Sequence, residues 1–379
     1  MGTTSPRRVL YWSERFWPTI GGVGISASKL LPALQARGYE FVVVTLKDYF
    51  DLPEQDQFKG IPVYRFPFWS SLAKGDVSRI VELRRRIVQL KQAFLPDLVH
   101  IGFLGGSVVF HLHTFDAHTP PLLVSMDSTF PDQQLGRDSL VGCTLRSADW
   151  ITCVSAARLA EARKLVPEII NRSSFIYNGR ETPSCHPAPL SFEAPRLLCL
   201  GRLDRIKGFD IALTAFVSIV SHFPKARLVI AGDGPERGEL EQHTARLGLQ
   251  ASVDFVGWVR PDEVPALMNT ATVVVIPSRN EGLPNVAKEA ALMARPLVAT
   301  DVGGIPELVV HEETGLLIGK EDTFALAKAI IRLLEQPEVA AEMGGAARLR
   351  AQQLFSLDRY IDAYAALYRR LIDGYVTKN

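Results

Sequence analysis

At 379 residues the chain exceeds the roughly 250–300 at which a single hydrophobic core stops growing, so two domains are expected. Lys and Arg (42) balance Asp and Glu (41), and a net charge of +1 removes any global argument for a nucleic-acid or polyanion partner. The hydrophobic share of 47% is that of an ordinary globular protein, and no stretch approaches the roughly 18–20 apolar residues of a membrane span.

The first residues, "MGTTSPRRVLYWSERFWP", hold no apolar h-region, and no signal peptide is expected. "RRVLYW", "GGVGISASKLLPALQARGY" and "EFVVVTL" then read as strand, helix and strand, one βαβ unit. Residues 78–94, "SRIVELRRRIVQLKQAF", put Ile80, Leu83, Ile87, Leu90 and Phe94 on one side of a basic helix, just after the aromatic "RFPFWSS". The plain reading is a core-facing helix with a solvated basic face. The functional alternative is peripheral contact with an anionic membrane carrying a lipid-linked acceptor. "DLVHI", "PLLVSM", "WITCVS" and "SSFIYN" are further short strands, and His111, His113 and His118 read as a helix and its exit, solvated or capping. Tyr177 to Pro195 is Pro-rich, polar and without periodicity, an interdomain linker. It divides the chain into an N-terminal domain over 1–185 and a second over 186–355, with a helix over 356–379 expected to pack back towards the first. After the linker the alternation restarts with "RLLCLG", "IALTAFVSIVSHF", "ARLVIAG", "RGELEQHTARLG", "VDFVG", "VPALMNTA", "TVVVIP", "RPLVAT" and "GLLI". Two α/β doubly wound, Rossmann-like domains follow from this pattern. Cys143, Cys153, Cys185 and Cys199 show no metal-ligand spacing. Three of them lie in apolar surroundings where small buried thiols are usual, and a reduced, cytoplasmic setting is expected.

Ligands of such folds bind outside the carboxyl ends of the strands, so the loops there carry the chemistry. After the first strand, Gly21 and Gly22 open a helix and let backbone approach a ligand. "GRLDRIKG" offers Arg202, a fork for phosphate oxygens, and Lys207, a mobile point charge. "GDGPERG" is a tight turn before a helix, Gly257-Trp258-Val259 follows "VDFV", and Asp127 follows "LLVSM". Singly, each has a bland reading: a turn, surface charge, a helix N-cap. "SRNEGLPNVAKEA" is less easily dismissed. Glu281 sits in the loop after a buried strand, Pro284 suits a first helical position, and Asn285 onward is helix-forming, with Glu289 one turn further. The amides of Gly282, Leu283 and Asn285 lie near that helix N-terminus, where an anion is favoured. Together these loops supply two cations, amide donors and carboxylates, the set a nucleoside diphosphate linked to a sugar requires.

The second half, with "GRLDRIKG", "LVIAGDGPERGEL", "VDFVGWV", "SRNEGLPNVAKEAALMARPLVATDVGGIPELV" and "TGLLI", resembles the retaining glycosyltransferases of family 4. The Glu281/Glu289 E-x7-E pair and the Arg202/Lys207 motif carry the likeness most specifically, and "GGVG" and "DLVH" extend it into the first half. The resemblance implies the GT-B fold, two Rossmann-like domains facing across a cleft. It implies that Arg202 and Lys207 hold a diphosphate and that Glu289 accepts the ribose hydroxyls. Glu281, with the backbone of Gly282, Leu283, Pro284 and Asn285, would grip the donor sugar. Gly257 and Val259 would meet the base of the donor, a UDP- or GDP-sugar, through backbone atoms, and Gly21 and Gly22 would approach the phosphate. The implied reaction is a metal-independent, front-face hexosyl transfer to the hydroxyl of a sugar or lipid-linked acceptor, serving glycan, glycolipid or polysaccharide synthesis in the cytoplasm or at the inner membrane face. No cofactor is implied.

One position departs from the family. Relatives often carry His where this chain has Asp127, which would orient or polarise at the sugar end, with His111, His113 and His118 as substitutes. Two rivals differ in class. A nicotinamide-dependent oxidoreductase would rest on "GDGPERG" alone, and the next strand lacks the acid that would hold a ribose. A non-catalytic nucleotide-sugar-binding protein would bind without turnover. A sugar-nucleotide epimerase of the same fold is a further alternative.

Overall fold

Short apolar runs bounded by Gly, Pro and Asp become parallel strands buried on both faces, as β-branched segments do when helices cover a sheet. The computed structural model describes residues 6–18, 22–48, 51–114, 120–126 and 139–376. The chain divides into two units, the first made of 1–179 and 358–379, the second of 180–357.

In the first unit, β1 (Arg7–Ser13), α1 (Gly22–Gln35) and β2 (Tyr39–Leu46) form a βαβ turn. An antiparallel pair follows, β3 (Gln55–Phe58) and β4 (Ile61–Phe66). Then come α2 (Phe68–Ala73), α3 (Val77–Phe94), β5 (Leu98–Phe103), α4 (Val108–Leu112) and β6 (Leu122–Met126). α5 (Leu140–Ser147), β7 (Trp150–Cys153), α6 (Ala156–Leu165) and β8 (Ser173–Phe175) complete this stretch. The sheet order is β3-β4-β2-β1-β5-β6-β7-β8, and every pairing except β3 with β4 is parallel.

Asp76 caps α3 by accepting from the Arg79 amide. The apolar stripe of α3 is spent on the core: Leu83, Ile87 and Phe94 are buried, and Ile80 and Leu90 pack against the same cluster. Burying a Leu or Ile side chain is worth about 1.5–3 kcal/mol. The apolar stripe therefore faces the core, as the plain reading of this helix expects. Arg85 and Arg86 pair with Glu82 and Glu54. Among the described residues no helix is long and apolar enough to cross a membrane.

The second unit runs β9 (Arg196–Leu200), α7 (Phe209–His222), β10 (Arg227–Ala231), α8 (Arg237–Arg246), β11 (Val253–Gly257), α9 (Val264–Asn269) and β12 (Val273–Ile276). It continues with α10 (Asn285–Leu292), β13 (Leu297–Thr300), α11 (Ile305–Leu308), β14 (Gly315–Ile318), α12 (Thr323–Glu335) and α13 (Pro337–Leu354). Its sheet, β11-β10-β9-β12-β13-β14, is parallel throughout. Residues 177–195 form no helix or strand, and Arg180 makes an isolated bridge to Ser356.

The chain then returns to the first unit with α14 (Leu357–Val376). Its Tyr360, Tyr364 and Tyr368 are buried. His100 on β5 meets the Tyr368 hydroxyl at 2.6 Å through Nδ1 and Ser125 on β6 at 2.8 Å through Nε2. Ser125 also meets Tyr364 at 2.9 Å and Thr152 at 2.8 Å. This hydroxyl network and the surrounding rings seat α14 on the sheet, and burial pulls the His100 imidazole down to about 3. Two cysteines rather than three are buried, Cys153 and Cys199; Cys143 and Cys185 are exposed.

Candidate active site

The second sheet changes its direction of growth at β9. The chain moves outward to β10 and β11, then crosses to β12, β13 and β14 on the other side. In such sheets ligands bind in the crevice outside the carboxyl ends of the strands at the switch point, here β9 and β12.

The loop after β9 enters this crevice through a 3-10 turn over Arg205–Lys207 that ends at Gly208, φ +67. A Cβ at Gly208 would stand 2.1 Å from the Pro277 carbonyl oxygen, so glycine lets this loop press against the residue following β12. Arg279 fastens the two loops. Its amide donates to the Ile206 carbonyl at 2.7 Å and Nη1 donates to the Arg205 carbonyl at 2.7 Å. Its guanidinium also forks onto Asp210 at 2.8 and 2.7 Å and reaches Glu321 at 2.6 Å. The paired bonds to Asp210 hold the Arg279 pKa above its ordinary range.

So fixed, Lys207 and Glu281 meet: Nζ lies 2.7 Å from Oε1, and the Ser278 hydroxyl donates to the same oxygen at 2.8 Å. Glu281 is 8% exposed. The loop after β13 supports it from behind. Gly303 has φ +53, its Cβ would lie 1.9 Å from the Glu281 carbonyl oxygen, and the Gly304 amide donates to that oxygen at 3.3 Å. Two loops therefore meet at the Glu281 carboxylate, and a third packs on its backbone.

Beyond Glu281, Gly282 is half-buried and Leu283 and Pro284 are buried. Pro284 is extended at ψ 129 and is the N-cap, so the helix begins at Asn285, one residue later than a Pro in the first helical position would have it. Pro284 supplies no capping side chain. The positive dipole end of α10 thus begins four residues after Glu281. Glu289 lies in the second turn, paired through Oε1 with Arg180 at 3.2 Å.

Arg202 is largely exposed, its Nε 3.7 Å from Asp204. Gly257 ends β11 with φ +75 and accepts from the Gly232 amide at 2.7 Å, while Val259 is half-buried. The "GDGPERG" turn is locked onto the β9 loop. Leu203 donates to the Asp233 carbonyl and accepts from the Glu236 amide, at 2.9 and 3.0 Å, and a Cβ at Gly234 would meet Leu203 oxygen at 2.4 Å. Its tightness serves loop packing, which weakens the nicotinamide reading. Gly22 is the first residue of α1. Gly21, Asp127 and His118 lie outside the described residues. His111 is buried, not solvated, and desolvation followed by the charge of Lys91 lowers its pKa well below the ordinary value.

Sequence reasoning missed Arg180, Ser278, Arg279 and Gly303. Ser278 and Arg279 flank the acidic motif, and the Gly-Gly of "DVGGIPEL" marked a close approach. Arg180 gave no signal beyond being a charge inside an apparent linker.

Two family models match the chain: Glycosyltransferase Family 4 over residues 20–182 and Glycosyl transferases group 1 over residues 194–336. The D-inositol 3-phosphate glycosyltransferase of Saccharomonospora viridis is 34% identical, covering 98% of this chain and 95% of that protein. The chain belongs to the group 1, family 4 glycosyltransferases. Solved structures agree in fold. The sucrose-phosphate synthase of Thermosynechococcus elongatus matches this glycosyltransferase with a TM-score of 0.84, covering 97% of this chain and 100% of that one at 23% identity. Anabaena HepE in complex with UDP-glucose matches with a TM-score of 0.74, covering 95% and 98% at 22% identity. The glycosyltransferase thus consists of two Rossmann-like units of the GT-B class.

Proposed function

We propose that this glycosyltransferase moves a hexosyl unit from a nucleoside-diphosphate sugar to an acceptor hydroxyl, with retention at the anomeric carbon. The observation that carries the reading is the Lys207–Glu281 pair, 2.7 Å apart at the switch point, four residues before the start of α10. A cation, a carboxylate and a helix N-terminus at one point suit a ligand that joins phosphate to hydroxyls. Lys207 and Arg202 take the diphosphate. Glu281 and the backbone of Gly282, Leu283, Pro284 and Asn285 hold the donor sugar, and Glu289 accepts the ribose hydroxyls. The family resemblance assigns Gly257 and Val259 to the base, through backbone, and Gly21 and Gly22 to the phosphate. Asp127 orients the reacting sugar or the acceptor.

In the reaction the bond from the anomeric carbon to the distal phosphate oxygen breaks, and the acceptor oxygen bonds to that carbon on the same face. The acceptor proton passes to the leaving phosphate oxygen. Charge gathers on the diphosphate as the bond breaks, and Lys207, Arg202 and the α10 N-terminus stabilise it without a metal ion. Turnover is therefore expected to survive EDTA; abolition by EDTA with recovery on adding Mg²⁺ or Mn²⁺ would contradict this part.

The UDP-glucose complex of HepE makes UDP-sugars the first donors to test, with GDP-sugars second. The name of the Saccharomonospora relative adds an inositol phosphate to sugar and lipid-linked acceptors. The test is release of nucleoside diphosphate on mixing donor and acceptor, with the product's anomeric configuration read by NMR. Inversion sinks retention. Binding without turnover across these donors and acceptors favours a non-catalytic nucleotide-sugar-binding protein.

A further inference from the structure

Arg180 opens the second unit, in a stretch that reads as linker, yet its backbone is held at both its amide and its carbonyl. Its amide donates to the Phe355 carbonyl at 2.8 Å, and its carbonyl accepts from the Leu357 amide at 3.0 Å. Phe355 is itself buried at 1% exposure, so the backbone of Arg180 is anchored to a core residue. From this anchor the side chain, 12% exposed, reaches the second turn of α10 and pairs with Glu289 at 3.2 Å.

We propose that Arg180 is a positioning residue for Glu289, fixing the carboxylate that receives the nucleotide ribose. A helical Glu otherwise samples several rotamers, and binding has to stop that motion. An anchored guanidinium stops it beforehand, so less of the binding free energy is lost to ordering. The pair uses one carboxylate oxygen, Oε1. Its partly buried setting separates it from exposed ion pairs, which contribute little. The inference rests on the proposed role of Glu289, and its test separates the two.

The experiment is calorimetric titration of the full chain with UDP and with 2′-deoxy-UDP, or with GDP and 2′-deoxy-GDP where the guanine nucleotide binds more tightly. The parent, Arg180→Ala, Arg180→Gln, Arg180→Lys and Glu289→Gln are compared. Arg180→Ala and Arg180→Gln are expected to weaken the ribonucleotide by roughly tenfold, the scale of one oriented bond to a charged group, and the deoxynucleotide by less than about twofold. Arg180→Lys recovers part of the loss. Equal losses for both nucleotides, or no loss in either variant, overturn the proposal. Arg180→Gln keeps length and hydrogen-bonding capacity and answers the question if the Ala variant does not fold. If Glu289→Gln leaves the ratio of the two affinities at the parent value, the ribose role of Glu289 is itself wrong. If Glu289→Gln collapses that ratio while the Arg180 variants keep it, the Arg180 proposal alone fails.

Discussion

The seat of α14 adds His100 to the groups that make the first unit acid-sensitive. The folded chain keeps His100 neutral down to about 3, because burial removes the water that would solvate its charge. The groups facing it are Tyr368, Ser125, Tyr364 and Tyr11, none of them charged at neutral pH. An unfolded histidine binds its proton near 6.5. Between those values the unfolded chain binds more protons than the folded one, so the contribution is full above pH 6.5 and is lost as pH falls toward 3. From pH 7.5 to pH 5 the loss is about 2 kcal/mol, at 1.36 kcal/mol per unit. His111 acts in the same direction, so the His100 share is read by difference. His100→Gln lowers stability at every pH but lacks this share, and its stability falls by about 2 kcal/mol less than the parent's over that interval. Urea unfolding followed by tryptophan fluorescence measures it. Trp12, Trp17, Trp69 and Trp150 lie in the first unit and Trp258 in the second, so a Trp258→Phe background isolates the first. Equal losses in parent and variant between pH 7.5 and 5 would refute the reasoning, as would an NMR titration midpoint for His100 above 5.

Lys207→Ala removes the partner of Glu281 and a cation from the proposed diphosphate site. Turnover is expected to drop on the order of 10²-fold or more with nucleoside diphosphate affinity weakened, and near-parent kinetics would remove Lys207 from the site. Gly303→Ala drives a Cβ into the Glu281 carbonyl at a left-handed φ, so calorimetry should show weakened diphosphate binding, and an unchanged affinity would mean the loop after β13 does not set Glu281. Ellman's reagent on the native chain should label two thiols rapidly, Cys143 and Cys185, while Cys153 and Cys199 wait for unfolding. Burial pushes Cys199 up to about 12, and a third fast thiol would contradict the burial of Cys153 or Cys199.

The second unit was the more legible in sequence because its strands are short apolar runs between glycines and prolines. "VDFVG" and "GLLI" coincide with β11 and β14. The hairpin of β3 and β4 went unread. β3, "QDQF", is a polar edge strand, and its turn is made by Lys59 and Gly60 with φ +50 and +81 in place of the usual Asn-Gly. The "RFPFWSS" cluster buries Phe66 and Phe68 in the core. In the candidate site, Lys207 and Glu281 could be paired on paper because both follow strands of one parallel sheet. Arg279 and Arg180 could not, since their partners are fixed by which loop packs on which, and spacing along the chain carries no record of that.

That α14 belongs to the first unit sets an order of events during synthesis. The second unit is one continuous segment, complete as soon as residue 357 has been made. The first unit, begun earlier, must wait for the residues that follow. At about 5–20 residues per second, the ribosome spends on the order of 10–40 s making the intervening segment. Throughout that interval the surface bearing His100, Ser125 and Thr152 lacks the tyrosines that cover it in the finished molecule. The unit that starts first is the last to close: all eight strands of its sheet are made by residue 175, but the face that α14 covers stays open until that helix has been made.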